Sequence, residues 1–310
     1  MPVFMNRVAA SAFLFLGLVF GSNVPPPAAG DTVVAECLVQ LNGTALDWNE
    51  IGRFVMPGET LWLDILESRN HSGWVASAGE LVEISGRTAW VAPSDPGLYP
   101  LIASVGETMK RINAFVMVPA ERVTSGSLNG FSIGKYQRTP PFPRFDKPRG
   151  FIEVTAENAA TPVSARYTLR DFEPKNTSSY PKYMVLREDL LVKLELLTDL
   201  VKGKGCGCER LAILSGYRTP AGHRSGVSSA HYYGGAADVY IDADNDGEMD
   251  DLNHDGQSTS ADARILAGWV DELEQVHPEL VGGCGWYRRT RSRGPFVHTD
   301  VRGEPMRWHR

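Results

Sequence analysis

Ser229-Ala230-His231-Tyr232-Tyr233-Gly234-Gly235-Ala236-Ala237-Asp238-Val239-Tyr240-Ile241 reads as a glycine turn feeding a β-strand. Small residues and two adjacent glycines separate an imidazole from a carboxylate. Ala236 to Ile241 is apolar and β-prone, so the chain enters a sheet just after the turn. His231 then comes from a loop and Asp238 from a strand, and both can face one cleft.

A second short stretch completes the pattern: Phe296-Val297-His298-Thr299-Asp300-Val301. Alternate side chains of a strand share a face, so His298 and Asp300 point the same way. Two imidazoles and one carboxylate are a donor set suited to Zn²⁺, with a fourth position open for water, as a hydrolytic site needs. Taken singly, each His has the bland reading of a packed or surface residue.

Around these stretches the chain reads as α+β. Phe151–Val154 and Ala165–Leu169 are strand-like. Leu190, Leu191, Leu194, Leu197 and Val201 form an apolar stripe on a helix spanning 187–201, which Lys202-Gly203 closes. Leu211–Leu214 is a strand, and a second helix over 260–276 carries Ile265, Trp269, Leu273 and Val276 on one side. With 296–301 as the last strand, a mostly antiparallel sheet is expected. Residues 31–118 look all-β, with alternating runs such as Thr60–Ile65, Ala89–Val91 and Ala114–Val118 separated by turn signals such as Pro57-Gly58 and Asp95-Pro96-Gly97. A small β-sandwich is expected there, and Pro96-Gly97-Leu98-Tyr99-Pro100-Leu101 resembles the turn-into-strand segment of immunoglobulin-like domains. Residues 119–150 are a linker or a packing arm; Phe131, Tyr136, Phe142 and Phe145 favour the arm.

The quoted residues, together with Ser215-Gly216-Tyr217-Arg218-Thr219-Pro220 and the glycine-rich Gly282-Gly283-Cys284-Gly285-Trp286-Tyr287, resemble the zinc peptidases of the D-Ala-D-Ala carboxypeptidase and hedgehog-like fold. Within that group they are most similar to the DUF882 and M15-type murein endopeptidases. The resemblance covers roughly residues 180–310. It implies a hedgehog/DD-peptidase-like domain over 151–310, zinc held by His231, Asp238 and His298, and Arg218 at the scissile carbonyl or a substrate carboxylate. The bland reading of Arg218 is a structural salt bridge. Relatives often place an ionisable base two or three residues before the last metal His; here those positions hold Phe296 and Pro295. Asp300 is expected to orient His298 first and to serve as base second, with His223 another candidate. The expected activity is hydrolysis of peptidoglycan stem peptides or cross-links. The reading from another class is a non-catalytic, calcium-stabilised wall- or partner-binding protein with a degenerate zinc cleft.

Net charge is −6, yet eight acids lie within 242–262, a stretch without Lys or Arg. The acidity is therefore local. Asp251, Asn253, Asp255, Gln257, Thr259 and Asp262 place oxygen ligands at loop positions 1, 3, 5, 7, 9 and 12, with Gly256 at 6, which is the EF-hand-type spacing. Asp242, Asp244 and Asp246 repeat its DxDxDG start. The insert resembles a dockerin calcium loop, and back-to-back loops of this kind resemble thrombospondin type 3 repeats; the bland reading is a solvated acidic loop. Structural Ca²⁺ is expected. Arg7 followed by apolar Val8–Phe20 and a Pro- and Ala-rich stretch reads as a signal peptide ending near residue 30, too short for a confident membrane span. Export to the periplasm or exterior permits disulfides among Cys37, Cys206, Cys208 and Cys284. A Cys206–Cys208 bond would be strained, and a bond from one of them to Cys284 is the better expectation. Export also argues against nucleic acid as partner of the basic C-terminus (Arg288, Arg289, Arg291, Arg293, Arg302, Arg307 and Arg310), whose two equal readings are a holder of peptide carboxylates and a merely solvated basic face.

Overall fold

The structure, a computed structural model, describes residues 38–41, 44–46, 48–66, 72–105, 108–176, 178–221 and 228–310. The leader, Cys37 and His223 lie outside these residues. The fold is mixed α/β with sheets predominating, and no described helix is long and apolar enough to cross a membrane.

The first part is all β. Strands β1 (Leu38–Leu41), β2 (Thr44–Leu46), β3 (Glu50–Val55), β4 (Thr60–Leu66), β5 (Ser72–Ala76), β6 (Glu80–Ile84), β7 (Arg87–Val91), β8 (Gly97–Val105) and β9 (Thr108–Val116) form two sheets, ordered β2-β1-β4-β7-β6 and β3-β9-β8-β5. The two sheets share one core, in which Leu61, Leu63 and Trp90 meet Ile51, Leu101, Ala103 and Ile112. Hydrogen bonds tie this all-β half to the C-terminal half. Gly52 N donates to Val163 O (2.8 Å), and the Asn113 side-chain amide donates to Pro162 O (3.0 Å). Arg53 pairs with Glu188 at 2.8 Å.

Residues 119–150 lie against the C-terminal half as a packed arm. After β10 (Val118–Pro119) come the short hairpin strands β11 (Ser127–Leu128) and β12 (Phe131–Ser132). Phe131 and Phe145 are buried, and Phe145 stacks on Tyr233 at 5.7 Å. The Tyr136 hydroxyl bonds Tyr217 Oη (2.8 Å) and donates to Tyr232 O (2.9 Å).

The C-terminal half begins with β13 (Gly150–Val154), α1 (Leu169–Phe172), β14 (Lys182–Met184) and α2 (Glu188–Gly203). Residues 165–168 do not form the expected strand. Thr168 and Asp171 make a capping box that starts α1 instead, so local polar satisfaction overrides the alternating pattern. Leu190, Leu191, Leu194, Leu197 and Val201 are all buried on the predicted face of α2, each contributing up to about 1.5–3 kcal/mol relative to exposure. Strands β15 (Ala212–Ser215), β16 (Ala236–Tyr240), β17 (Gly283–Tyr287), β18 (Phe296–Asp300) and β19 (Met306–His309) make a sheet of order β15-β16-β18-β17-β19. Every neighbour is antiparallel except β17–β19, and α3 (Ser260–Val276) packs on β17 and β18. β19 has no counterpart in the sequence reading: it is short and half-exposed, and a parallel partner leaves no turn signature.

Cys206, Cys208 and Cys284 carry free thiols, so the expected bridge to Cys284 is not formed. The Cys284 Sγ is turned against α3, 3.9 Å from Ala267 O. Two charged residues of α2, Lys193 and Glu195, are buried among its apolar ones. Lys193 is fully buried and donates to Glu274 (2.6 Å), Leu280 O (3.0 Å) and Asp300 O (2.7 Å). Burial pushes its pKa down, against the pull of Glu274. Removing the ammonium leaves the Leu280 and Asp300 carbonyls without this donor and Glu274 with Arg307 alone. Lys193→Met should therefore lower the stability measured by urea unfolding by about 3 kcal/mol.

Candidate metal centre and its cleft

The Gly234-Gly235 turn does what its sequence demands. Gly234 adopts φ +66°, and a side chain there would run into the Val185 carbonyl. One at Gly235 would meet the Phe145 ring. This close packing brings the short 3₁₀ turn Ala230–Tyr233, with buried His231, directly beside β16. β16 pairs with β18 so that Asp238 stands opposite His298.

The three residues singled out in the sequence converge. His231 Nε2 lies 3.2 Å from Asp238 Oδ1 and 3.1 Å from His298 Nδ1, and the latter two are 3.1 Å apart. The opposite ring nitrogens are committed. His231 Nδ1 donates to Gly216 O (2.6 Å), and His298 Nε2 donates to Asp300 Oδ2 (2.9 Å). Both acceptors hold the proton on the far nitrogen, so the near nitrogens each present a lone pair. Two lone pairs and a carboxylate oxygen thus form a nearly equilateral triangle in a buried place, an arrangement that calls for a cation. Donors about 2.0–2.1 Å from a tetrahedral metal stand about 3.3–3.4 Å apart, so the set fits a metal ion with one position left open. Burial lowers the pKa of His231 despite Asp238 beside it. It acts against His298 as well, yet the bonds to Asp238 and Asp300 raise that group overall. Burial would raise Asp238, but His231 and His298 hold it well below the usual carboxylate range.

Asp300 lies behind His298 and is wholly buried. Besides His298 it accepts from Gly283 N (2.7 Å), Arg302 N (3.1 Å) and the Arg302 guanidinium (Nε 3.0 Å, Nη2 2.5 Å). Burial would raise its pKa, but His298 and Arg302 pull it well below the usual range. A carboxylate so engaged orients His298 and has little capacity to take a proton from substrate water. Gly282-Gly283 permits this packing, because a side chain at Gly283 would overlap the Asp300 carboxylate and the Arg302 guanidinium. Arg218 bonds Ser215 Oγ (2.9 Å) and donates to Asp238 Oδ2. It fixes the metal-facing carboxylate while about a third of its side chain stays exposed to the cleft.

The triangle forms the floor of a cleft of about 780 Å³. Its walls include Phe142 from the arm, Tyr287, Phe296 and Trp308, with Arg218, Arg293, Arg302 and Arg310 as the cations. Trp308 lies 5.2 Å from the His298 ring and donates to Tyr287 Oη (2.8 Å). Glu304 is exposed and, among the described residues, is the one lining carboxylate besides Asp238. Sequence reasoning missed Trp308 and Glu304, for neither belongs to a spaced motif.

In the acidic insert, Asp242, Asp244 and Asp250 bring carboxylate oxygens within 4.8 Å of one another. Asp250 is position 9 of the loop that starts at Asp242, a phase present in the sequence although the full spacing is traced there only from Asp251. The two loop starts share one shape. Asp246 N and Gly247 N donate to Asp242, and Asp255 N and Gly256 N donate to Asp251. Asn253 and Asp255 accept backbone bonds within the second loop. Asp262 is spent differently. It accepts from Leu252 N, Asn253 N and Thr259 N as part of the α3 capping box, while Thr259 caps Ala261 N.

Compared with protein-family models, with curated proteins and with solved structures, the chain matches none. Any likeness to the murein peptidases therefore rests on the motif residues themselves.

Titrated with zinc as probe, the protein should take up one tightly held ion at this centre, lost in His298→Ala. Asp300→Asn should weaken that ion about 10–100-fold in competition with a chromogenic chelator.

Proposed function

We propose that the chain is an exported zinc-dependent peptidase that hydrolyses peptide bonds in peptidoglycan stem peptides or cross-links. The observation that carries this reading is the buried triangle of His231, Asp238 and His298, whose outer nitrogens are tied to acceptors and whose inner donors face an open cleft. The motif likeness supplies the substrate class. It also supplies the finer fold reading: a hedgehog/DD-peptidase-like C-terminal half after an immunoglobulin-like sandwich.

Zinc, held by His231, Asp238 and His298, would supply polarisation of a peptide carbonyl and a more acidic water molecule. The chain's own groups do the rest. Asp300 and Arg302 hold His298 in one tautomer and orientation. Arg218 steadies Asp238 and turns its exposed edge toward the developing oxyanion. Glu304, the exposed carboxylate lining the cleft, would serve as the base in place of those missing at Phe296 and Pro295. Phe142, Tyr287 and Trp308 flank the peptide.

Digestion of purified murein should release soluble fragments, and a chelator should stop it. His298→Ala should abolish cleavage, whereas Glu304→Gln should lower kcat about 100-fold with zinc content unchanged. Zinc bound at unit stoichiometry without cleavage of any murein or peptide would instead favour a non-catalytic wall-binding protein.

Calcium is the ion we assign to the acidic insert, with Asp242, Asp244 and Asp250 as ligands and Asp246, Asp251, Asn253, Asp255, Gln257 and Thr259 as the further oxygen donors of the two loops. Its role is to order the connection between β16 and α3. Millimolar Ca²⁺ should raise the melting temperature by several degrees, and Asp242→Ala/Asp244→Ala should remove that rise while leaving zinc content intact.

A further inference from the structure

The register of β18, β17 and β19 arranges the cleft in rows. His298 stands opposite Gly285, and Gly285 opposite Trp308; Phe296 stands opposite Tyr287. Arg310 continues that last row beside Tyr287, since Arg310 N donates to Trp286 O (3.1 Å) and Arg288 N to Arg310 O (2.8 Å). Alternation puts 296, 298 and 300, 285 and 287, and 308 and 310 on one face. The row of Phe296, Tyr287 and Arg310 therefore lies two residues, about 7 Å, along the strands from the row that holds His298.

This outer row is cationic. The Arg293 guanidinium lies 5.3 Å over the Phe296 ring, and Phe296 stacks on Tyr287 at 4.4 Å with the rings 7° from parallel. Arg293 is held at the hairpin between β17 and β18, where Thr290 N donates to Arg293 O (2.9 Å). Arg289 anchors the same hairpin to Glu248 at 2.7 Å. Of the four arginines lining the cleft, Arg218 is engaged by Asp238 and Arg302 by Asp300. Among the described residues no carboxylate pairs with Arg293 or Arg310. Two exposed guanidinium forks, one braced on an aromatic face, thus line the same cleft as the metal centre.

We propose that Arg293 and Arg310 form a carboxylate-binding subsite, so that the peptide taken by this cleft carries a carboxylate on the side of the outer aromatic row, away from the bond lying over the metal centre. The proposal rests on the peptidase reading for the bond that is cut, but not for the recognition of the anion.

The zinc-loaded full chain is tested with soluble muropeptides bearing free carboxylates and with the same muropeptides after carbodiimide amidation. Both hydrolysis and equilibrium binding by calorimetry are measured. For free-carboxylate muropeptides, Arg293→Ala/Arg310→Ala should raise KM and Kd about tenfold with kcat within about twofold, a modest change because both arginines are exposed. Amidation should cost the native protein as much and the double variant nothing further. Arg293→Lys/Arg310→Lys should recover part of the affinity, and the gap should close as salt rises. Arginine-dependent binding without hydrolysis keeps the subsite and removes the peptidase reading. Absence of an arginine-dependent difference between free and amidated muropeptides overturns the subsite, whether or not they are hydrolysed.

Discussion

The Asp300 carboxylate is the point on which the centre depends. It receives the His298 imidazole, the Gly283 amide and the Arg302 guanidinium, while its own backbone carbonyl takes the Lys193 ammonium. A buried carboxylate is costly unless its lone pairs are filled, and here both oxygens are. Because Asp300 can only accept, His298 must keep its proton on Nε2 and present Nδ1 to the cleft. The tautomer of one metal-facing group is thus set by a residue two positions along the same strand. The same logic holds for His231, where the acceptor is the Gly216 carbonyl.

That hub explains the glycines around it. In Gly283-Cys284-Gly285-Trp286-Tyr287 the residues at 283, 285 and 287 face the cleft and those at 284 and 286 face away. Gly283 leaves room for the Asp300–Arg302 pair, and Gly285 leaves room for the Trp308 indole to lie toward His298. Tyr287, the first large residue of the series, stands where the aromatic wall begins. Behind the sheet, Lys193 joins α2 to Glu274 of α3, and Arg307 of β19 joins the same carboxylate and Asp271. Two helices and an edge strand are thereby locked to the strand that carries His298.

Much of this was legible because strand periodicity is strict. His298 and Asp300 had to share a face, and Asp238 had to lie on a strand after a glycine turn; pairing them needed only the register. The apolar stripe of α2 and the span of α3 were legible for the same reason, as periodic burial leaves a sequence trace, but the face of α3 was not: its core side is Ala263, Leu266, Ala267, Val270 and Leu273, whereas Ile265 and Trp269 are half-buried and Val276 is exposed. Lys193 was legible in principle as a charge three residues from Leu190 on an apolar face. What the sequence concealed depends on long-range contact. The placement of Trp308 and Glu304 in the cleft has no local signature, whereas the aromatics of residues 119–150 did mark a packing arm. The strand expected over 165–169 failed where a Thr-x-x-Asp capping box competed with an alternating pattern. The expected Cys284 bridge is not formed, since parity on its strand turns that thiol toward α3.

Charge pairing distinguishes the centre's supporting groups from its working ones. Asp238 is matched by Arg218, Asp300 by Arg302, and Glu274 by Lys193 and Arg307. Each pair is wholly or largely out of water, where an unmatched charge would cost several kcal/mol. The supporting frame is therefore close to neutral and imposes little net field of its own. A dication among His231, Asp238 and His298 would leave the floor net positive, since Asp238 is already shared with Arg218. Among the described residues, the charged side chains lining the cleft without an ion-pair partner are Arg293 at the hairpin, Arg310 on the outer row and Glu304 on the loop before β19. Structural charges that are fully paired are spent on holding geometry; the ones left over at a rim are the charges still able to act on a substrate.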